Sequence, residues 1–195
     1  MTEEERIAIL KWVTNKQNPR EINNKKYTIS LRLSDNTVPI AIWKIKGRLI
    51  EKEGLHECRQ DHMFGDMVLI VSNGGTLQPH TDPSGLIDNA IHCRFNVFIQ
   101  VPKKLDTYYA GYLIQAKERH YVMCRSGMDL HWSTTNTDDL RITLSFGYLL
   151  PRKMMDEIYQ IPAGIVKTND IIHLDIFFKL LSYYHQAFAS WRLGY

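Results

Sequence analysis

A series of short apolar segments fills the middle of the chain and limits the folds that it can adopt. These segments are rich in Val, Ile, Leu, Tyr and Phe, and Gly, Asn, Asp, Pro or Ser separate them. They lie at 26–33, 38–50, 66–72, 94–101, 109–115, 120–125 and 140–150. Such a pattern is typical of strands joined by turns. Because no helical stretch is evident between them, the segments predict an all-β core, either a sandwich or a barrel.

Both ends of the chain have helical patterns instead. Near the start, Thr2 and Glu5 form a candidate helix cap ahead of apolar residues spaced among charged ones. From Asp170 to about Leu193, apolar and aromatic residues recur at helical spacing. The sequence therefore predicts an N-terminal and a C-terminal helix flanking the β core. The C-terminal helix either packs against the outside of the core or forms a homodimer interface.

Composition bounds the class of protein. A chain of 195 residues with 44% hydrophobic content predicts one domain over residues 1–195. Charged residues make up 23%, and no apolar run approaches the ~18 residues of a membrane span, so membrane and disordered classes are excluded. The acidic start lacks the pattern of a secretory signal, and we expect a cytoplasmic protein. The net charge of +3 is scattered along the chain, which does not indicate a nucleic-acid partner.

Two of the predicted strands alternate between apolar and polar residues. Within each strand, successive side chains point to opposite faces of the sheet. One interpretation is a sheet with a solvated face. The other is a barrel with a polar interior, which could hold one small ligand and in which an inward arginine would need an anionic partner. The polar faces consist of Arg141, Thr143, Ser145 and Gly147 in one strand, and Arg94, Asn96, Phe98 and Gln100 in the other.

The segment after the strand at 66–72 contains His80 and Asp82. On an extended chain, residues two apart lie on the same face, so an imidazole and a carboxylate could share one metal ion. Taken alone, the pair is explained better by a turn histidine beside a capping aspartate. The pair becomes informative because His131 follows 51 residues after His80, and Arg141 follows ten residues after His131. Two histidines and one carboxylate form the facial triad of non-haem iron(II) oxygenases.

The order His80-x-Asp82, His131, Arg141-x-Thr143 resembles the 2-oxoglutarate-dependent iron(II) dioxygenases. The resemblance covers about residues 66–150 and implies a double-stranded β-helix, also called a jelly-roll or cupin-like barrel. It further implies that the two histidines and Asp82 hold Fe(II). Arg141 would bind the distal carboxylate of the co-substrate 2-oxoglutarate, with Thr143 sharing that carboxylate, and O2 would be the oxidant.

Several other polar residues are weaker candidates. Arg94 and Asn96 would face the same cavity, where they would bind co-substrate or substrate, although Arg94 could also lie in solvent at the barrel rim. Gln78, Ser133 and Trp132 lie near the predicted ligands, and structural roles are favoured for all three. A separate zinc site at His56, Cys58 and His62 lacks a fourth ligand at recognisable spacing.

The resemblance implies hydroxylation of a C–H bond, with succinate and CO2 as products. Asp82 favours hydroxylation over halogenation, because halogenating relatives have lost this carboxylate. We expect the substrate to be an amino-acid side chain, free or in a peptide. The nucleic-acid demethylases of this family carry a second arginine six residues after the first, where this chain has Gly147. The alternatives are a non-enzymatic jelly-roll ligand-binding protein and an oxygenase that acts on nucleic acid.

Overall fold

The structure is a computed structural model that describes residues 1–16, 28–34, 36–62, 64–72, 74–82, 86–87, 90–134, 136, 139–151, 154 and 165–166. The helices of this part are α1 (Glu3–Lys16) and α2 (Ile40–Glu53). Its strands are β1 (Thr28–Arg32), β2 (Arg59–Gln60), β3 (Met67–Val71), β4 (Leu77–His80), β5 (Leu86–Ile87), β6 (Ala90–Gln100), β7 (Thr107–Tyr109), β8 (Tyr112–Ile114), β9 (Tyr121–Cys124), β10 (His131–Ser133), β11 (Arg141–Pro151) and β12 (Ile165–Val166). Most of the described chain is therefore β-structure.

The N-terminal helix begins at the predicted cap. The Glu5 amide donates to Thr2 Oγ1 at 3.2 Å, and the Thr2 amide donates to Glu5 Oε2 at 2.8 Å. This reciprocal pair satisfies two amides that the first turn leaves without helical partners. One side of the helix, with Ile9, Trp12 and Val13, is buried. The predicted N-terminal helix is confirmed.

Helix α2 corrects the prediction of a strand at 38–50 and of a β core without intervening helices. Its buried residues Ala41, Ile42, Ile45 and Leu49 follow helical rather than alternating spacing. The helix ends at Gly54, whose φ of 64° is the left-handed conformation that favours glycine after a helix. The branched residues of this segment resemble a strand in composition, but their spacing buries one face of a helix.

The larger sheet holds the strands that were predicted most clearly. Its order is β1-β3-β11-β6-β5, with β2 beside β11 and β9 beside β6, and all these pairings are antiparallel. The central strands β6 and β11 are 11 residues long and place Arg94 opposite Gly147 and Asn96 opposite Ser145. The predicted strands at 26–33, 66–72, 94–101, 120–125 and 140–150 are confirmed as β1, β3, β6, β9 and β11.

The smaller sheet has the order β12-β8-β7-β10-β4. A tight turn joins β7 to β8, with φ of 50° at Ala110 and 81° at Gly111. Positive φ at both central residues is the geometry of a two-residue type I′ hairpin. The segment 109–115, predicted as one strand, is therefore the end of β7, a turn and β8. The sequence missed this break because only one of the two turn residues is a glycine.

The two faces of β6 and β11 are both buried, but in different surroundings. The apolar face packs with α1 and α2 in one cluster that includes Ile9, Ile42, Phe95, Leu144 and Phe146. The polar face lies between the sheets, where Asn96 Nδ2 donates to the Tyr109 hydroxyl of the smaller sheet at 2.7 Å. Its side chains are 1–8% exposed: Arg94, Asn96, Arg141, Thr143 and Ser145. The polar-interior interpretation is confirmed, and the solvated-face interpretation is wrong.

Neither described helix has the length and apolar character needed to cross a membrane. The C-terminal helix predicted over Asp170–Leu193, and the dimer interface predicted on it, lie outside the described residues.

Candidate metal centre

The pairing of β4 with β10 brings the predicted metal ligands together. His80 ends β4 and His131 begins β10, and the two residues are direct cross-strand partners. Their ring centroids are 4.2 Å apart. Asp82 follows two residues after His80, and ligand atoms of His80, Asp82 and His131 all lie within 4.8 Å of one another. Within the described ranges, these are the only residues that form such a group.

The hydrogen bonds of both histidines leave the same ring nitrogen available. His80 Nδ1 lies 2.7 Å from the Gln78 carbonyl, and His131 Nδ1 lies 3.0 Å from the Asp129 carbonyl. A carbonyl only accepts, so Nδ1 carries the proton in each ring. The lone pair of each Nε2 is then free for a metal, and the backbone bond fixes the orientation of the ring. The donor set therefore fits a divalent iron site.

The protonation state of His131 also suits a metal ligand. Burial, followed by the nearby His80, lowers the pKa of His131 to about 4, against a smaller opposing effect of Asp82. Imidazole binds a metal in its neutral form. At neutral pH His131 is therefore ready to act as a ligand without losing a proton.

A tight turn at 125–129 supports two of the three ligands. The Asp82 amide donates to the Ser126 carbonyl at 2.7 Å, and the Asp129 carbonyl accepts the His131 ring proton. Arg125 closes the turn with a bidentate contact, since its Nε and Nη2 lie 2.9 and 2.8 Å from the Asp129 carboxylate. A planar guanidinium matches a carboxylate well in this geometry. The turn thus fixes Asp82 and His131 relative to each other.

Arg141 lies in the same interior, where it is 3% exposed. Its Nε donates to Thr143 Oγ1 at 3.3 Å, and its guanidinium lies 5.6 Å from the Phe98 ring centroid. Among the described residues, its Nη1 has no hydrogen-bond partner. Burial lowers the pKa of Arg141, although Tyr109 opposes this shift. A buried guanidinium with an unused donor fits the carboxylate of a bound anion.

Tyr109 is a buried residue of the same interior that the sequence analysis did not identify. Its hydroxyl accepts a hydrogen bond from Asn96 Nδ2 and can donate its own proton elsewhere. Burial raises its pKa, so the phenol keeps that proton at neutral pH. Its ring centroid lies 5.7 Å from that of His131. Nothing in the sequence around Tyr109 distinguishes it from Tyr108, which lies beside it in the same strand.

Arg94 faces the interior and is 6% exposed, which excludes the interpretation of a solvated rim residue. Its guanidinium lies 3.0 Å from Asp61, 3.1 Å from Ser145 Oγ and 3.2 Å from the Gly65 carbonyl. Asp61 and His92, which lie 3.1 Å apart in the same cluster, are two further residues that the sequence analysis missed. The predicted contacts of Arg94 and Asn96 with co-substrate or substrate remain predictions.

The remaining candidates have structural contacts. Ser133 is 2% exposed, and its hydroxyl accepts from the Leu77 amide at 3.2 Å. Trp132 stacks on Tyr108 with ring centroids 4.7 Å apart and an angle of 6° between the ring planes. The imidazole of His56 is 57% exposed. Among the described residues, His56, Cys58 and His62 do not bring their ligand atoms close enough together to hold one metal ion. The zinc alternative therefore has no support.

Comparison of the sequence gives no match to a family model and no match among curated proteins. Comparison of the structure does find similar proteins. HygX from Streptomyces hygroscopicus, with nickel and 2-oxoglutarate bound, has a TM-score of 0.57 at 11% identity, covering 77% of this chain and 80% of that one. The collagen prolyl hydroxylase of Paramecium bursaria Chlorella virus 1, in complex with 2-oxoglutarate, has a TM-score of 0.53 at 12% identity, covering 77% and 91%.

A prolyl-4-hydroxylase from Pseudomonas putida is similar to the same extent, with a TM-score of 0.51 at 12% identity over 78% of this chain and 89% of that one. These likenesses show that the chain has the jelly-roll fold of the 2-oxoglutarate- and iron-dependent oxygenases. They confirm, for the fold, the resemblance identified in the sequence. At this identity they carry no information about the substrate.

Proposed function

We propose that this protein is a non-haem Fe(II)- and 2-oxoglutarate-dependent dioxygenase that hydroxylates a C–H bond. The observation that carries the proposal is the convergence of His80, Asp82 and His131, with ligand atoms within 4.8 Å, in a chain with this fold. Two imidazoles and one carboxylate on one side of a metal leave positions for a bidentate co-substrate and O2.

The strand order supports a double-stranded β-helix. One sheet contains β3-β11-β6-β9 and the other contains β8-β7-β10-β4, so the chain crosses from one sheet to the other six times between β3 and β11. Eight antiparallel strands divided in this way make the double-sheet jelly roll. His80 and His131 lie on strands of the smaller sheet, and Arg141 lies on a strand of the larger sheet.

The proposed 2-oxoglutarate site consists of Arg141, Thr143 and Tyr109. The unused Nη1 of Arg141 would donate to the distal carboxylate, and the hydroxyls of Thr143 and Tyr109 would donate to the same group. Asn96 would hold the Tyr109 hydroxyl in place through their 2.7 Å hydrogen bond. Charge-assisted hydrogen bonds of this kind are stronger than neutral ones, so Arg141 would contribute most of the affinity.

When bound, iron with 2-oxoglutarate and O2 supplies the oxidising power, and the balanced reaction is R–H + O2 + 2-oxoglutarate → R–OH + succinate + CO2. The residues of this chain bind and orient. His80 and His131 present Nε2, Asp82 presents a carboxylate oxygen, and Arg141 fixes the far end of the co-substrate. Holding the reactants in one geometry is a large part of the catalytic effect.

For the substrate, we propose an amino-acid side chain, either free or within a peptide. Gly147, where a nucleic-acid demethylase would carry its second arginine, favours an amino-acid over a nucleic-acid substrate. Release of succinate in the presence of free amino acids, proline-containing peptides and methylated oligonucleotides would separate these substrate classes.

Anaerobic reconstitution tests the proposed function. The apoprotein is mixed with Fe(II) and 2-oxoglutarate, and the visible charge-transfer band of the chelated complex is recorded for the wild type, Asp82→Ala and Arg141→Ala. We expect a band in the wild type that is weakened or lost in both variants. A folded wild type that gives no band would contradict the dioxygenase assignment and favour a jelly-roll binding protein.

A further inference from the structure

The two carboxylate oxygens of Asp82 face different partners. Oδ1 lies 4.0 Å from His80 Nε2, on the side of the other metal ligands. Oδ2 lies 3.6 Å from Arg94 Nε and 3.8 Å from His92 Nδ1. Arg94 and His92 are both buried, at 6% and 0% exposure, and are two residues apart on β6. One oxygen is therefore directed to the candidate metal position and the other to the protein interior.

Asp61 lies behind Arg94 and His92 and contacts both. Its Oδ2 accepts from Arg94 Nη2 at 3.0 Å and lies 3.1 Å from His92 Nε2. The Phe64 amide also donates to this oxygen at 3.3 Å, and Asp61 is 4% exposed. The contact of Arg94 with Asp61 is thus shorter than its contact with Asp82. The Arg94 guanidinium therefore pairs mainly with Asp61.

Gly147 provides the space that Asp61 occupies. A Cβ at this position would lie 2.8 Å from Asp61 Cβ, 2.9 Å from Asp61 Oδ2 and 3.3 Å from Arg94 Nη2. The Asp61 amide also donates to the Gly147 carbonyl at 3.0 Å. Any side chain at 147 would therefore displace the Asp61 carboxylate. This contact gives a steric reason for a glycine in the middle of a long buried strand.

We propose that Asp61 is a positioning residue for the metal ligand Asp82, and that it acts through Arg94. By pairing with Arg94 Nη2, Asp61 prevents the guanidinium from pairing fully with Asp82, while Arg94 Nε still lies 3.6 Å from Oδ2. His92 helps to hold Asp61, because it donates from Nε2 to the Asp61 carboxylate while its Nδ1 accepts from Ser126 Oγ at 3.1 Å. Asp82 would then present Oδ1 to the metal. This inference rests on the proposed metal site and extends it to residues outside the ligand set.

Cobalt binding by the apoprotein tests this role without turnover. Co2+ affinity and the visible Co2+ spectrum are measured for the wild type, Asp61→Asn and Gly147→Ala, in the absence of 2-oxoglutarate. Because residues that orient metal ligands typically contribute ~10–100-fold in metal affinity, we expect both variants to bind Co2+ at least about tenfold more weakly, with a changed spectrum. The unfolding free energy of each apoprotein is measured in parallel.

Asp66→Asn is the matched control. Asp66 is another buried carboxylate, with a contact of 2.6 Å to Lys46 Nζ and of 2.7 Å to Gln60 Nε2. We expect Asp66→Asn to lower stability while leaving Co2+ affinity within about twofold of the wild type. If Asp61→Asn does not fold, Gly147→Ala carries the test, since it keeps the carboxylate but moves it.

Three results would overturn the proposal. The first is Co2+ affinity and spectrum unchanged in folded Asp61→Asn and Gly147→Ala. The second is an equal loss of affinity in Asp66→Asn, which would indicate a general effect of destabilisation. The third is a wild type that binds no Co2+, and this last result would also remove the metal site of the proposed function. The first two results leave the proposed function intact.

Discussion

Arg94 and Arg141 are two buried guanidiniums on neighbouring strands, and their surroundings differ. Arg94 donates to Asp61, Ser145 and Gly65, so its counter-ion is part of the fold. Arg141 contacts Thr143 through Nε, and its Nη1 is unused among the described residues. An unneutralised buried charge is costly and persists where function requires it. The comparison separates a cation whose counter-ion belongs to the fold from one whose proposed counter-ion is the carboxylate of the co-substrate.

The largest expected effect is on the stability of the apoprotein. Arg94→Met leaves the Asp61 carboxylate buried without its cation, which costs about 3–5 kcal/mol. Arg141→Met removes a cation that has no ion-pair partner among the described residues, so we expect stability within about 1 kcal/mol of the wild type, or above it. Chemical denaturation of both apoproteins measures the difference. Equal losses in the two variants would remove the distinction.

A double-mutant cycle sharpens the same contrast. Asp61→Asn combined with Arg94→Met should show a coupling energy of about 1–3 kcal/mol, because the two residues share a direct contact. Asp61→Asn combined with Arg141→Met should be additive within about 0.5 kcal/mol. The four unfolding free energies of each cycle are determined from denaturation curves. Strong coupling of Asp61 to Arg141 would contradict the division of the interior into two charge systems.

A smaller effect is expected for Tyr109→Phe. This change removes one donor to the proposed co-substrate carboxylate, and a single hydrogen bond contributes about 1 kcal/mol. We therefore expect 2-oxoglutarate to bind about fivefold more weakly to the Mn2+-loaded variant. Calorimetric titration measures the affinity. An unchanged affinity would place the carboxylate out of reach of Tyr109.

The smallest expected effect is that of Thr143→Val. The hydroxyl accepts from Arg141 Nε at 3.3 Å, a long contact, and its loss should weaken 2-oxoglutarate binding by no more than about 1 kcal/mol. Thr143→Ser, which keeps the hydroxyl, is the control and should bind like the wild type. A loss of 2-oxoglutarate affinity as large as that caused by Arg141→Met would mean that Thr143 contributes as much to the binding as Arg141.

The sequence was sufficient to predict that His80, Asp82 and His131 come together, because the order of the motifs along the chain resembles that of a known family. His80 and Asp82 lie two residues apart on one extended segment. His131 and Arg141 are ten residues apart in the sequence, and they begin the consecutive strands β10 and β11. Helix α2 was missed because its branched residues have the composition of a strand, although their spacing is helical. The turn at 110–111 was missed because only one of its two central residues is a glycine, and the flanking residues have the composition of a single strand.

The cluster of Asp61, His92 and Arg94 next to Asp82 could not be predicted from the sequence, because it depends on contacts between distant segments. Asp61 precedes Arg94 by 33 residues and lies in a different part of the chain, so no spacing rule connects them. Gly147 was informative in the sequence only as the absence of an arginine. The structure adds a physical reason, because the position of its missing Cβ is filled by Asp61.

The most direct test of the central claim is the affinity of the Mn2+-loaded protein for 2-oxoglutarate, compared between the wild type and Arg141→Met. Removing one partner of a buried charge pair costs at least about 2 kcal/mol, so we expect binding at least about 30-fold weaker in the variant. Arg141→Lys should recover part of the loss. Equal affinity in the wild type and Arg141→Met would show that the unused guanidinium is not the anchor of the co-substrate.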